Sequence, residues 1–295
     1  MQIQIDLENP IVCGPLTLFA VYPSGPPAGD YLTGPEAAAQ KLFDVSERSD
    51  AAAVPELVVN NHADLPLLLV EGEILIGAKQ NRTLNVTVLC PAKGETVIPV
   101  SCVEAGRWGR AREGSRSRRH SSLSLREVKL RSVSESVRRG FGKTSDQGAV
   151  WDAVEAVAAR HGVRSPTMDF DEIQEHVGDD VDRLVKDVEL RAGQSGVVVG
   201  IGGEVRMLEL FDKPSTLACY WQSLLSGYAT EALGQQEKPT PAAAAKRFGG
   251  KVARARSRDA AGAGIGTESH LEAPALTGVA LSWNAAPVHL VAFAS

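Results

Sequence analysis

The sequence predicts an α+β protein, an antiparallel β-sandwich or barrel-like sheet with a central helical segment packed on it. Three observations carry this. Short strand-like runs occupy both ends of the chain, and amphipathic helical stretches fill its middle. The connections between strand runs are brief and rich in Gly, Pro and Asn, which favours hairpins between sequence neighbours. With β first, helices next and β last, the reading is one domain over residues 1–295 whose terminal strands join the N-terminal sheet.

Taken in order, Gln2, Ile3, Gln4 and Ile5 alternate with the period of a half-buried strand, and further strand runs follow at residues 11–13 and 16–21. The segment GPEAAAQKLFDVSE reads as a short helix begun by Pro35, whose fixed φ suits a first turn. Residues 56–61 form a strand ending in the polar turn NNHAD. In the central stretch LPLLLVEGEILIGAKQNRTLNVTVLCPAKGETVIPVSCVEAGRW, strands are expected at 65–76, 83–89 and 97–103, the first with a possible break at Glu71 and Gly72.

After Trp108 the composition changes to Arg and Lys set among Ser and Gly, and residues 105–125 read as a flexible basic loop leading into a helix over 123–140. The alternative is a basic flap that closes over an anionic ligand. Val150, Trp151, Val154, Val157 and Ala158 lie at helical spacing, with Gly162 as the stop. A second amphipathic stretch starts at Ser165 or Thr167 and carries Ile173, Val177, Val181, Leu184, Val185 and Val188 on one side. Two strand runs then flank Gly202 and Gly203, a hairpin signal rather than a dinucleotide loop, because no GxGxxG leads into a helix. Helices are expected from residue 214 and over 241–256, then a loop at 264–270 and strands at 275–283 and 288–293.

The bulk properties narrow the function classes. At 295 residues, 43% hydrophobic and 23% charged, with a mean hydropathy of -0.09, the chain has material for a sizeable core and is not disordered. A net charge of -5 offers no general attraction to nucleic acid or to an anionic membrane. No apolar run spans a bilayer and the N-terminus lacks a signal-peptide pattern, so a cytoplasmic protein is expected. Cys13, Cys90, Cys102 and Cys219 form no CxxC pair and read, for the most part, as buried free thiols. Self-assembly stays open.

Candidate chemistry concentrates in the central stretch. Glu71 and Glu73 are two residues apart, so in an extended strand both carboxylates face one way, able to share a proton or hold a cation. The competing reading is a salt-bridge cluster with Lys79 and Arg82. The turn containing Lys79, Gln80, Asn81 and Arg82 combines cations for a phosphate with amides for a hydroxyl or base edge, or else merely ties down a hairpin. Cys102 and Glu104 share a face, and Arg107 with Trp108 offers a stacking pair. Cys102 lacks a neighbouring histidine to activate it. His289 sits alone on a terminal strand, with no His-x-His partner for a metal; the metal and cofactor requirements are unknown from sequence.

The run EGEILIGAKQNRTLNVTVLCPAKGETVIPVSCVEAGRW resembles the signature of an uncharacterised bacterial family named for its association with ADP-ribosylglycohydrolases and rhodanese-phosphatase proteins. GVVVGIGGEVRMLELFDKP and VHLVAF resemble that family's downstream blocks. The resemblance implies a place in NAD or ADP-ribose metabolism, a nucleotide-like ligand, and a site drawn from Glu71, Glu73, Lys79, Gln80, Asn81, Arg82, Cys102, Glu104, Arg107 and Trp108. Two functions follow: binding or processing of an ADP-ribose-like nucleotide, with Glu71 or Glu73 as base or metal ligand, or a non-catalytic module in which the same cluster is a structural network.

Overall fold

A computed structural model describes residues 3–48, 55–78, 80–104, 112–165 and 167–294. The chain divides into two compact units where the sequence reading has one domain. Residues 30–178 and 261–265 make an inserted unit; 1–29, 179–260 and 266–295 make a terminal unit. Both are β-rich with packed helices, so the α+β class is the observed one.

The chain opens with β1 (Gln4–Ile5), β2 (Ile11–Cys13) and β3 (Leu16–Tyr22). Then β4 (Leu32–Thr33) runs into α1 (Gly34–Ala39), where Thr33 and Glu36 close a capping box behind Pro35. This helix is shorter than expected: Phe43 already belongs to β5 (Phe43–Glu47), whose alternating burial reveals the strand period inside the expected helical run. After β6 (Glu56–Asn61), the central stretch supplies β7 (Leu67–Leu69), β8 (Glu73–Ala78), β9 (Arg82–Leu84), β10 (Val88–Cys90) and β11 (Glu95–Cys102). Three expected strands become five because the first breaks at Gly72, with φ +85°, and the second breaks after Leu84.

The largest difference lies in the basic segment. Arg112–His120 is a strand, β12, paired antiparallel with β8 rather than a loop, and α2 (Leu123–Arg138) follows directly. Next come α3 (Gln147–Arg160), capped by Asp146, α4 (Phe170–His176), capped by Asp169, and α5 (Gly178–Val185), so the second expected amphipathic stretch is two helices. A Gly202–Gly203 turn with φ +62° and +91° joins β13 (Gly196–Ile201) to β14 (Glu204–Phe211), the positive-φ geometry that suits a right-twisted hairpin. The chain ends with α6 (Pro214–Ala232), α7 (Ala242–Ala253), β15 (Arg256–Ala261), β16 (Thr267–Ala273), β17 (Leu276–Trp283) and β18 (Ala286–Ala294). The expected loop at 264–270 therefore already contains the start of β16, whose polar TESH opening hides its period.

In the terminal unit, nine strands join in the order β1, β3, β13, β14, β18, β17, β16 and β15, with β2 added on β3. Phe19, Val21, Val198, Leu208 and Leu290 on one face pack with Ala245, Phe248 and Val252 of α7. Glu209, pairing with Val291 and Val197, falls on the alternate face.

In the inserted unit, one sheet runs β12, β8, β9, β11, β6, β5 and another runs β10, β7, β4. Ile74 and Val103 bury against Leu125 of α2, Val150, Val154 and Val157 of α3, and Phe170 of α4. Val133 extends α2 into the cluster of Leu57, Val59, Leu75, Leu84 and Val100. Arg82 pairs with Leu75 on one side and Cys102 on the other, so it lies inside the six-stranded sheet. Among the described residues no helix is long and apolar enough to cross a membrane.

A Cβ placed on Gly72 would meet His120 Nε2 at 2.8 Å and Arg126 Cδ at 3.0 Å, in a left-handed backbone conformation. Gly72→Ala is expected to lower unfolding free energy by about 1–3 kcal/mol, through backbone strain and displacement of these side chains. Equilibrium denaturation with an unchanged m value is the check.

Candidate functional site

The break at Gly72 decides what its flanking carboxylates do. Because the backbone turns there, Glu71 and Glu73 do not sit two apart on one extended strand. Glu73 folds back, and its Oε1 accepts from the Val70 amide at 2.6 Å. Glu71 Oε1 accepts from Arg126 Nε at 2.7 Å and Nη2 at 2.6 Å, and Lys129 Nζ lies 3.2 Å from its Oε2. The Glu71 amide donates to Thr87 Oγ1 at 3.1 Å, and His120 Nε2 donates to the Glu71 carbonyl at 2.7 Å.

Arg126 and Lys129 come from successive turns of α2, and all three ionic groups are buried. Lys129 also donates to the Leu84 carbonyl. Burial pushes its ammonium down to about 8, with the Arg126 charge acting the same way and Glu71 opposing both. This ties the Gly72 turn, the end of β9 and helix α2 together. The sequence reading placed both cations in the basic segment's helix without pairing them; their i,i+3 spacing was the available signal.

The turn ahead of β9 builds a second cluster. Gln80, Asn81 and Arg82 are all buried. The Asn81 backbone amide donates to Glu104 Oε2 at 2.9 Å, and its side-chain amide donates to Asp169 Oδ2 at 2.9 Å. Asp169 is also the cap of α4, accepting from the Asp171 amide at 3.0 Å. Burial raises the Asp169 carboxyl to about 6; the Glu104 charge adds to the rise, while the bonds from Asn81 and Asp171 oppose it. Asp169 was missed because it lies far from the central stretch, in a helical run whose start was placed at Ser165 or Thr167 rather than at the observed cap.

Arg82 is fully buried, and its Nη1 donates to Gln80 Oε1 at 2.9 Å and to Cys102 Sγ at 3.0 Å. Its Nε and Nη2 have no hydrogen-bond partner among the described residues. Those two nitrogens form one edge of the guanidinium fork, the edge that matches two oxygens of a phosphate or carboxylate. The Cys102 thiol donates to Gln80 Oε1 at 3.3 Å, and its backbone amide and carbonyl are clasped by the Gln147 side chain at 2.8 and 2.9 Å. Burial is the largest influence on this thiol and raises its pKa; the Arg82 charge opposes it and the Glu47 charge reinforces it. The group is therefore a protonated partner of Arg82 rather than an activated nucleophile.

The remaining expected residues fall elsewhere. His289 belongs to the terminal unit, where its Nε2 lies 3.1 Å from Glu209 Oε1 and its ring stacks on Phe211 at 4.5 Å. Tyr228 donates to the same carboxylate. Lys79, Arg107 and Trp108 lie outside the described residues. Among the described residues no three His, Cys, Asp or Glu side chains group so as to hold a metal ion.

From residue 4 to 293 the chain matches the model of the ARG and Rhodanese-Phosphatase-superfamily-associated Protein domain. It belongs to that family. This ARG-associated family takes its name from association with ADP-ribosylglycohydrolase and rhodanese-phosphatase superfamily proteins. No curated protein and no solved structure matches the chain.

Two measurements probe this ARG-associated domain's buried charges. Glu71→Gln leaves Arg126 and Lys129 without their counter-charge and is expected to cost about 3–5 kcal/mol in equilibrium unfolding. Asp169 binds its proton more tightly folded than unfolded, from an ordinary 3.8 to about 6. Its contribution to stability is fully present below the unfolded value and is lost as pH rises through about 6. Asp169→Asn is expected to flatten that part of the stability profile, measured by denaturant titration between these two pH values.

Proposed function

We propose that the protein binds an ADP-ribose-like nucleotide at the Gln80–Asn81–Arg82 turn. The observation that carries this is the buried Arg82 guanidinium with its Nε and Nη2 edge unpartnered among the described residues. A buried cationic donor without an acceptor costs folding free energy, and an incoming two-oxygen anion recovers it. A diphosphate supplies such an anion, and the Asp169 and Glu104 carboxylates beside Asn81 supply acceptors for ribose hydroxyls. The association recorded in the family's name with ADP-ribosylglycohydrolase proteins supports ADP-ribose as the first ligand to test.

In this reading the expected acid/base residues have a different part. Glu71 is engaged by Arg126 and Lys129, and Glu73 by the Val70 amide, so both serve the scaffold that holds the turn. That closed network also favours a second reading, in which the whole polar interior is structural and the domain assembles with partners without a nucleotide.

Titration calorimetry with ADP-ribose and NAD, with and without divalent cation, separates the two. Saturable binding to the wild type is expected, with at least a tenfold loss in Arg82→Met. The ligand-free melting temperature of Arg82→Met should be unchanged or higher, since the substitution removes a half-partnered buried cation. No binding by either nucleotide, together with a large fall in the variant's melting temperature, would select the structural reading.

A further inference from the structure

The terminal unit carries a cavity of about 160 Å³. Leu210, Phe211 and Leu290 are its buried walls, while Pro26 and Pro287 are exposed at its rim, so the cavity has an apolar floor and a mouth that solvent reaches. The proline-rich loop that borders it is fastened at its end. Lys213 Nζ donates to the Gly29 carbonyl at 2.6 Å, and Asn284 Nδ2 donates to the Ala28 carbonyl at 3.0 Å. At Gly29 a Cβ would lie 2.7 Å from the Trp283 ring, so the loop sits directly on that side chain. Phe211 is held by stacking with Tyr220 at 5.9 Å and with His289 at 4.5 Å. Proline rings and a clamped phenyl have little freedom to lose, so the cavity is preorganised for a ligand.

The wall chemistry selects the ligand. Ser24 and Asp212, the polar side chains of the lining, are both engaged within the protein; Asp212 Oδ2 accepts from the Ala28 amide at 3.0 Å, and its side chain has further contacts. A charged ligand group would therefore leave water with no counter-group reserved for it, which is strongly unfavourable. An apolar ring gains instead, because proline and aromatic carbon replace water on its faces. Volume sets the size, since an apolar cavity of roughly 150 Å³ takes one benzene-sized ring. The open mouth lets that ring be the end group of a larger molecule whose remainder stays in solvent.

We propose that this cavity is a binding site for a compact neutral ring, seated on Leu210, Phe211 and Leu290 and bordered by Pro23, Pro26 and Pro287. It rests on residues of the terminal unit alone and is independent of the nucleotide reading.

The test is NMR titration of the isotope-labelled full chain with benzyl alcohol, benzylamine and benzoate, which share the ring and differ in charge. Benzyl alcohol is expected to saturate, to shift the amides of Gly25, Leu210 and Leu290, and to bind at least about fivefold more tightly than either ion. Gly25 lines the cavity and a Cβ there meets nothing within 4 Å, so Gly25→Trp should fold and abolish binding of the alcohol by filling the space. Failure of benzyl alcohol to saturate the wild type, or an ion that binds as tightly as the alcohol, overturns the proposal without reference to any variant. Amide shifts centred elsewhere, or binding that persists in a folded Gly25→Trp protein, overturn the location.

Discussion

The inserted unit is organised by one buried ion network, the Glu71 carboxylate between Arg126 and Lys129. Three charges taken out of water are tolerable only when each is matched, and the arrangement specifies the local structure as a result. Gly72 must turn in the left-handed region for Glu71 to face α2 while Glu73 returns to the Val70 amide. Lys129 reaches the Leu84 carbonyl, which fixes the helix against the end of β9. The turn that carries Gln80, Asn81 and Arg82 enters the same strand, so that network helps to set its position.

Contrast between the two clusters is what gives the candidate site its meaning. Around Glu71 the cations share a carboxylate and backbone acceptors. Around Arg82 the described partners are a neutral amide and a protonated thiol, on one nitrogen only. Two buried arginines within one sheet and its covering helix thus differ in how far their donors are satisfied. The first is explained by folding alone, whereas the second has a bidentate edge without a hydrogen-bond partner among the described residues.

Much of this was legible in the sequence where one face of an element is apolar. The alternation of residues 3–5 and the helical stripe of Val150, Val154 and Val157 report burial on one side, and the Gly-Gly pair marks its hairpin through the positive φ both residues adopt. Where the sequence is polar throughout, the signal vanishes: β12 is REGSRSRRH and β15 is RSRDAA, runs without the apolar alternation that marks a half-buried strand. The site residues of the central stretch were found because they lie together, but their partners were not. Asp169, Gln147, Arg126 and Lys129 reach it across many residues, and no local pattern encodes that approach. The pairing of Glu71 with Glu73 failed for a smaller reason, a single glycine whose positive φ turns the chain between them.

The sheet of the terminal unit draws its neighbours from opposite ends of the sequence. β3, which ends at Tyr22, has β13 beside it, which begins at Gly196, and β14 in turn pairs with β18 at the C-terminus. Loop closure over such separations slows folding far more than it weakens the folded state. During synthesis, residues 30–178 are all in hand before β13 exists, so β1, β2 and β3 have only one another to pair with until then. The sheet can close around β14 only when β18, the final strand of the sequence, has joined it, so the terminal unit is completed after the inserted unit has all of residues 30–178 to hand.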